Sequence, residues 1–132
     1  MPMDIMEILD MLDWNLSAEI QCKGRALAKN EETIAPFIQP MTPEHNKNVW
    51  DNCAIIIAES EDEKLKPYLA ELLEWLQDMN WPGAVCIFDR LRKYSDKKGV
   101  SNVIISCEIK AKNSSDDAWA RTLSALRKNL FE

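Results

Sequence analysis

Residues 65–82 read LKPYLAELLEWLQDMNWP, and this stretch decides the fold class. Leucines recur along it at intervals of three and four residues, at Leu65, Leu69, Leu72, Leu73 and Leu76. Acidic side chains fall on the opposite side, at Glu71, Glu74 and Asp78. This two-sided pattern is typical of an amphipathic helix that packs on a core. The pattern stops at Trp81-Pro82, because a residue that precedes proline avoids helical backbone angles.

The rest of the chain repeats the helical spacing. Glycine is scarce, with three in 132 residues, and alternation of β-branched residues is nearly absent. Only residues 100–112 leave helix and strand open, because Val103-Ile104-Ile105 is β-branched. We expect a helix there, since no other stretch offers a partner strand. The predicted helix caps are Asn15, a capping box of Ser60 with Glu63, and Ser115-Asp116-Asp117.

Four of the five tryptophans recur at similar distances along the chain. Trp14, Trp50, Trp81 and Trp119 each fall near the start of the second helix of a candidate pair. Their spacing approaches the roughly 34 to 47 residues of two-helix solenoid repeats. The predicted fold is therefore all-α, a short right-handed stack of about four antiparallel helix pairs, or HEAT-like α-solenoid. The alternative is an irregular helical bundle, in which large aromatic residues recur at helix starts by chance.

Composition indicates a single globular domain over residues 1–132. Apolar residues make up 46% of the chain and charged residues 29%, a balance typical of globular proteins. No apolar run approaches the roughly 20 residues that cross a bilayer. The N-terminus lacks the basic and apolar segments of a signal peptide. We therefore expect a cytoplasmic protein with no membrane partner.

Residues suited to catalysis or metal binding are few. The four cysteines lie far apart without a Cys-x-x-Cys pair, which favours buried, reduced thiols over a zinc site. His45, the only histidine, is expected at the surface in a polar connector. The acidic pairs Glu74 with Asp78 and Asp116 with Asp117 fit a solvated helix face and a helix start. The sequence thus predicts no enzyme, no cofactor and no metal site.

Charge divides the chain unevenly. Residues 1–66 hold 13 acidic and 6 basic residues, whereas residues 67–132 hold 9 and 10. The acidic half favours a basic partner protein and makes general binding of nucleic acid unfavourable. A basic strip over residues 90–112 nevertheless supports nucleic-acid binding as an alternative function. The candidate binding residues for a basic partner are Glu61, Asp62, Glu63, Glu71, Glu74 and Asp78.

The sequence WLQDMNWP at residues 75–82 resembles the hallmark of a family of small uncharacterised bacterial proteins, a domain of unknown function with a Trp-Leu-x-Asp-x-Asn-Trp-Pro motif. Asp117-Ala118-Trp119 is more loosely similar to a later Asp-x-x-Trp element of that family. The resemblance implies a compact HEAT-like helical repeat and, for some members, a place near toxin and immunity genes. The resemblance implies no catalytic residue in this sequence. The motif and structural positions are Trp14, Trp50, Trp75, Asn80, Trp81, Pro82 and Trp119.

A structural role is the expectation for the motif, with direct function as the alternative. Pro82 can begin a helix, Asp78 or Asn80 can bond a tight turn, and Trp81 can hold two helices together. The expected function of the whole chain is a non-catalytic protein-interaction module. Its sharpest form is an immunity-type protein that neutralises a toxin through the acidic residues.

Overall fold

A computed structural model describes residues 4–131, and every regular element in this range is helical. The α-helices are α1 (Ile5–Met11), α2 (Ala18–Ala28), α3 (Lys47–Ala58), α4 (Asp62–Leu65), α5 (Leu69–Glu74), α6 (Ala84–Arg92), α7 (Lys97–Asn113) and α8 (Asp117–Asn129). Short 3₁₀ helices span Ala35–Phe37, Lys66–Tyr68 and Trp75–Gln77. The all-α prediction is therefore confirmed for these residues.

The stretch that decides the fold is helical but not continuous. Pro67 has no backbone N–H, and the chain tightens into the 3₁₀ helix Lys66–Tyr68 between α4 and α5. The predicted leucine stripe is nevertheless preserved, because its five members are all buried, Leu65, Leu69, Leu72, Leu73 and Leu76. The predicted end before Trp81-Pro82 is confirmed. Asp78 is already extended, with φ −138° and ψ 106°.

Residues 100–112 lie within α7, as expected. Asp96 caps this helix, with its Oδ1 atom accepting from the Gly99 N–H at 2.9 Å. The β-branched run is divided between faces: Val103 is half-buried, Ile104 is fully buried and Ile105 is exposed. The three residues therefore lie in three different environments around one helix. This explains why the β-branched run does not form a strand.

Two of the predicted caps are wrong and one is confirmed. Ser17, not Asn15, caps α2, since the Asn15 side chain donates to Asp13 at 3.1 Å. The capping box at α4 does not form: Glu61 occupies the N-cap position without a side-chain cap, and Ser60 Oγ donates to the Ile56 carbonyl at 2.8 Å. Asp116 caps α8 as predicted, accepting the Trp119 N–H at 3.1 Å.

The helices pack in an ordered sequence around one core. Helix α3 lies between α2 and α6, and α6 also contacts α8. In addition, α1 packs on α2, and α5 packs on α7, which pairs with α8. The interior is aliphatic and aromatic, with Trp75, Trp119 and Phe37 among its largest buried side chains. Within residues 4–131, no helix combines the length and apolarity needed to cross a membrane.

His45 is buried, which contradicts the prediction of a surface histidine. Its side chain is 3% exposed, and its Nε2 atom lies 2.6 Å from Asp10 Oδ1. The connector folds back on itself, because Thr42 and His45 exchange hydrogen bonds between the Thr42 N–H and the His45 carbonyl and between the His45 N–H and Thr42 Oγ1. The ring therefore faces α1, and its Nδ1 atom is buried with no partner among residues 4–131.

Asn52 joins the first two helices to α3 through a buried polar network. Its Nδ2 atom donates to the Leu12 carbonyl at 2.8 Å and to Gln21 Oε1 at 2.9 Å. Its Oδ1 atom accepts from Arg25 Nη1 at 2.6 Å. Because one amide satisfies groups from α2 and from the end of α1, it fixes the position of both helices on α3.

We expect Asn52→Ala to lower the free energy of unfolding by about 1–3 kcal/mol, because the substitution leaves buried polar partners without hydrogen bonds. Denaturant unfolding followed by circular dichroism measures this change. The control is Asn102→Ala on α7, where the side chain is exposed and a change within about 0.5 kcal/mol is expected. Equal stability of the two variants would show that the Asn52 network does not position α1 and α2.

Candidate functional site

The motif of residues 75–82 forms the turn between α5 and α6. Trp75 is fully buried, and its Nε1 atom donates to the Pro82 carbonyl at 3.0 Å across the turn. Asp78 Oδ1 accepts the Asn80 N–H at 2.9 Å, and the Asp78 carbonyl accepts the Trp81 N–H at 3.0 Å. The Asn80 side chain is exposed and Trp81 and Pro82 are half-buried. Asp78, rather than Asn80, therefore bonds the turn.

The same turn is held against α3 by aromatic contacts. Trp50 makes edge-to-face contacts with Trp75 and Trp81, with ring centroids 6.0 and 5.8 Å apart. Gly83 follows with φ 85°, and a Cβ atom there would lie 2.7 Å from Ala54 Cβ and 2.9 Å from the Trp50 carbonyl. Glycine is thus required for both the backbone angle and the close approach. These contacts give the motif a structural role in joining α3, α5 and α6.

The remaining tryptophans of the predicted repeat differ from each other. Trp119 is buried, and its Nε1 atom donates to the Leu73 carbonyl at 3.0 Å, which ties α8 to α5. Trp14 lies in the turn before α2 with 46% of its surface exposed. All four lie near the beginning of α2, α3, α6 or α8, as their spacing predicted. Trp14 alone contributes little to the core.

Both carboxylate oxygens of Asp62 accept hydrogen bonds, so Asp62 is not a free surface acid. Its Oδ1 atom accepts from Arg90 Nη2 at 2.6 Å, and its Oδ2 atom accepts from the Ser95 N–H and hydroxyl at 2.9 and 2.6 Å. Burial alone would raise the pKa of this carboxyl, but the Ser95 and Arg90 contacts outweigh burial and hold the pKa below its ordinary value. Asp62 therefore fixes the start of α4 to the end of α6.

The other candidate acids are more open. Glu61, Glu63, Glu71 and Asp78 are exposed, whereas Glu74 Oε1 lies 3.2 Å from Lys110 Nζ on α7. Two of the predicted basic residues, Arg90 and Lys110, thus bind two of the predicted acidic residues. The acidic set and the basic strip, which lie apart in sequence, are therefore in contact at two points in the fold.

An apolar groove between α7 and α8 was not predicted from the sequence. It has a volume of about 540 Å³, and its lining residues are Ile105, Glu108, Ile109, Lys112, Asp117, Ala120 and Arg127. Ile105 and Ile109 are 45% and 58% exposed, although their neighbour Ile104 is fully buried. The available signal was the spacing of four between Ile105 and Ile109, which places them beside, and not within, the stripe that packs in the core.

The groove is closed at one edge by a paired charge. Arg127 Nε donates to Glu108 Oε1 at 2.6 Å, and Arg127 Nη2 donates to Glu108 Oε2 at 3.1 Å. This two-bond geometry fixes both side chains across the two helices. The groove is therefore an apolar strip with ordered charges at its rim.

Three of the four cysteines lie where burial disfavours the thiolate form. The four cysteines are free, and burial raises the pKa of the thiols of Cys53, Cys86 and Cys107. Nearby carboxylates raise the pKa of Cys86 further, Asp89 most among them. Within residues 4–131, no group of three or more histidine, cysteine or acidic side chains is arranged to hold a metal ion.

Comparison with known protein families finds a match to a domain of unknown function (DUF5071) over residues 41–130. The chain belongs to this family. The DUF5071 match includes α3 to α8, and therefore the Trp50 contacts, the Asp62 network and the groove. Neither the comparison with curated proteins nor that with solved structures gives a match.

Helices α1 and α2 precede the DUF5071 match and are joined to it by polar contacts. Asn52 bonds to Leu12, Gln21 and Arg25, and His45 bonds to Asp10. The Trp14 N–H also donates to the Asn48 carbonyl at 3.0 Å. These contacts make α1 and α2 part of the same packed structure as the DUF5071 region.

We expect Asp62→Asn to lower the free energy of unfolding at pH 7 by about 1–2 kcal/mol, because the amide cannot accept from all of its donors. The pKa of Asp62 is lower in the folded than in the unfolded chain. The contribution is therefore full above the unfolded pKa, about 3.9, and is lost as the pH falls through the folded pKa. Unfolding curves at several pH values measure the difference.

The matched control for Asp62 is its neighbour Glu63, which is exposed. Glu63→Gln should leave stability nearly unchanged at every pH, because surface charges contribute little. A difference between Asp62→Asn and the wild type that does not shrink in acid would show that the carboxylate contacts are not its cause.

Proposed function

We propose that the protein is a non-catalytic protein-interaction module. The proposal includes its architecture, a short right-handed stack of about four antiparallel helix pairs of the HEAT-like type. One observation carries it: Ile105 and Ile109 are exposed on successive turns of α7, along a groove whose opposite wall is α8. Apolar side chains grouped in a groove with a charged rim are typical of a surface that another protein covers.

The order of helix contacts supports the proposed stack. Helices α2, α3, α6 and α8 follow one another in a row, and α5 and α7 contact each other in a second row. Each row takes alternate members of successive pairs, as in two-layered helical repeats. The alternative, an irregular bundle, gives no reason for this order of helix contacts, and we therefore prefer the stack.

The groove favours a helix as the contacting element. Removing the exposed isoleucine surface from water is favourable by about 25 cal/mol per Å² of apolar area. The lining on α8 includes the small Ala120, which leaves room for side chains between the two walls. An amphipathic helix lays aliphatic side chains into such a groove at intervals of three and four residues.

We expect affinity capture from lysate of the native cells to recover one protein with the tagged wild-type chain and none with Ile109→Asp. A carboxylate in the middle of the groove would have to be buried without a partner. The control, Val85→Asp, replaces an apolar side chain of α6 that is 60% exposed and lies outside the groove. Mass spectrometry of the bound fraction at low and high salt measures the recovery.

The capture experiment contradicts the proposal in two ways. Equal recovery by Ile109→Asp and Val85→Asp would remove the groove from the interaction. Recovery of nuclease-sensitive nucleic acid in place of protein at low salt would favour the alternative function of the basic strip over residues 90–112. No contact within residues 4–131 strengthens that alternative, since Arg90 and Lys110 are bonded to acids.

A narrower form of the proposal is an immunity-type protein that neutralises a basic toxin. The exposed carboxylates of Glu61, Glu63 and Glu71 support it, together with the acidic balance of residues 1–66. Exposed charge of one sign accelerates association with a partner of the opposite sign. Asp62 and Glu74 are less suited to this role, because each is already bonded to a base.

We expect the triple variant Glu61→Lys, Glu63→Lys and Glu71→Lys to slow association with the captured partner by about tenfold or more at low salt. The slowing should disappear at high salt, where exposed charges are screened. Surface plasmon resonance measures the association rate.

The control for the charge reversal makes the same change of net charge elsewhere. It replaces the exposed acids Glu7, Glu19 and Glu44 with lysine. Equal rates for the two triple variants would show that net charge, and not this acidic surface, governs association. Unchanged rates in both would remove electrostatic steering from the proposal.

A further inference from the structure

We propose that the groove between α7 and α8 binds a second copy of the same chain, so that the protein forms a two-fold symmetric dimer through it. This inference rests on the proposed function, since it names the partner of the surface suggested there. It follows from the position of the groove and from the order of the charges around it.

The α7–α8 pair is covered on one side only. Helix α7 packs on α5, and α8 packs on α6 and on the 3₁₀ helix Trp75–Gln77. Their buried residues, among them Ile104 and Leu123, pack in the core, whereas Ile105 and Ile109 are exposed on the side of the groove. Within residues 4–131, no helix covers that side, so the exposed isoleucines are available to a second molecule.

The rim of the groove alternates in charge. Lys112 and Asp117 lie next to the turn that joins the two helices, and Glu108 and Arg127 lie further along them. In the order Lys112, Asp117, Arg127 and Glu108 around the rim, the charges are therefore positive, negative, positive and negative. Glu108 and Arg127 already bond to each other, whereas neither Lys112 nor Asp117 has an ion-pair partner among residues 4–131.

A two-fold axis in the plane of the groove and parallel to the helices satisfies this arrangement. It lays α7 of one copy antiparallel on α8 of the other, which is the usual packing in a four-helix bundle. Each Lys112 then faces Asp117 of the second copy, and Ile109 faces the small Ala120. Because the contact is isologous, each favourable pair occurs twice. An unrelated partner would need to reproduce this alternation independently, whereas a second copy supplies it by symmetry.

Sedimentation equilibrium of the full chain at a series of concentrations tests the inference. The wild type and Val85→Asp should show the same reversible monomer–dimer equilibrium, with a dissociation constant below about 1 mM. Ile109→Asp should raise that constant at least about tenfold, because it buries an unpaired carboxylate twice in the dimer. Circular dichroism of each variant establishes that the monomer fold is retained.

A charge exchange distinguishes the proposed axis from a general apolar contact. Lys112→Asp and Asp117→Lys should each weaken the dimer, because each places like charges opposite one another twice. The double variant Lys112→Asp with Asp117→Lys restores opposite charges across the axis, so its dissociation constant should return towards that of the wild type.

Three results would overturn the inference. These are a monomeric wild type up to about 1 mM, equal dissociation constants for Ile109→Asp and Val85→Asp, and a double variant that dimerises no better than the single ones. A different result decides whether the proposed function holds. If the wild type is monomeric but Ile109→Asp alone loses a different protein in affinity capture, the groove is an interaction surface and only the choice of a second copy is wrong.

Discussion

The contact of Trp50 with the turn that follows α5 is the constraint on which the rest of the structure depends. Its indole ring contacts Trp75 and Trp81 edge to face, and its Nε1 atom donates to the Pro40 carbonyl at 2.8 Å. One side chain of α3 therefore positions the connector before it and the turn between α5 and α6. The Gly83 backbone fits against the same helix with no room for a Cβ atom. Because α8 is in turn bonded to α5 through Trp119, the position of the groove follows from this contact.

The helices could be predicted from the sequence because the spacing of buried apolar residues decides them. Helix caps and buried polar side chains depend on partners that are distant in the chain, and these could not be predicted. The leucine stripe of residues 65–76 and the end before Pro82 follow from spacing and from the geometry of proline. His45 was misplaced because its burial depends on Asp10, 35 residues earlier in the chain. Ser60 has the sequence of a helix cap, but its hydroxyl bonds to the preceding helix. A local pattern does not show whether a serine side chain accepts from a following N–H as a cap or donates to a preceding carbonyl.

The predictions that rest on charge were the weakest, because a count of charged residues along the sequence does not show which of them are in contact in the fold. The acidic candidates and the basic strip were treated as two separate surfaces, yet Asp62 bonds Arg90 and Glu74 bonds Lys110. Asp62 and Arg90 are 28 residues apart and Glu74 and Lys110 are 36 residues apart, so the fold neutralises part of each set. The proposed steering of a partner therefore rests on the exposed acids near α4 and α5, and charges of this kind change the rate of association more than the affinity.

The proposed two-layered stack, if extended to the α7–α8 pair, gives the exposure of Ile105 and Ile109 a physical meaning. In such a stack each helix pair buries one side against the preceding pair and offers the other side to the next. Helix α7 packs on both α5 and α8, yet Ile105 and Ile109 remain exposed beside these contacts within residues 4–131. A terminal pair ordinarily has a polar outer side, since exposed aliphatic surface promotes association. The isoleucines and the alternating charges therefore give this side of α7 and α8 the character of an internal interface.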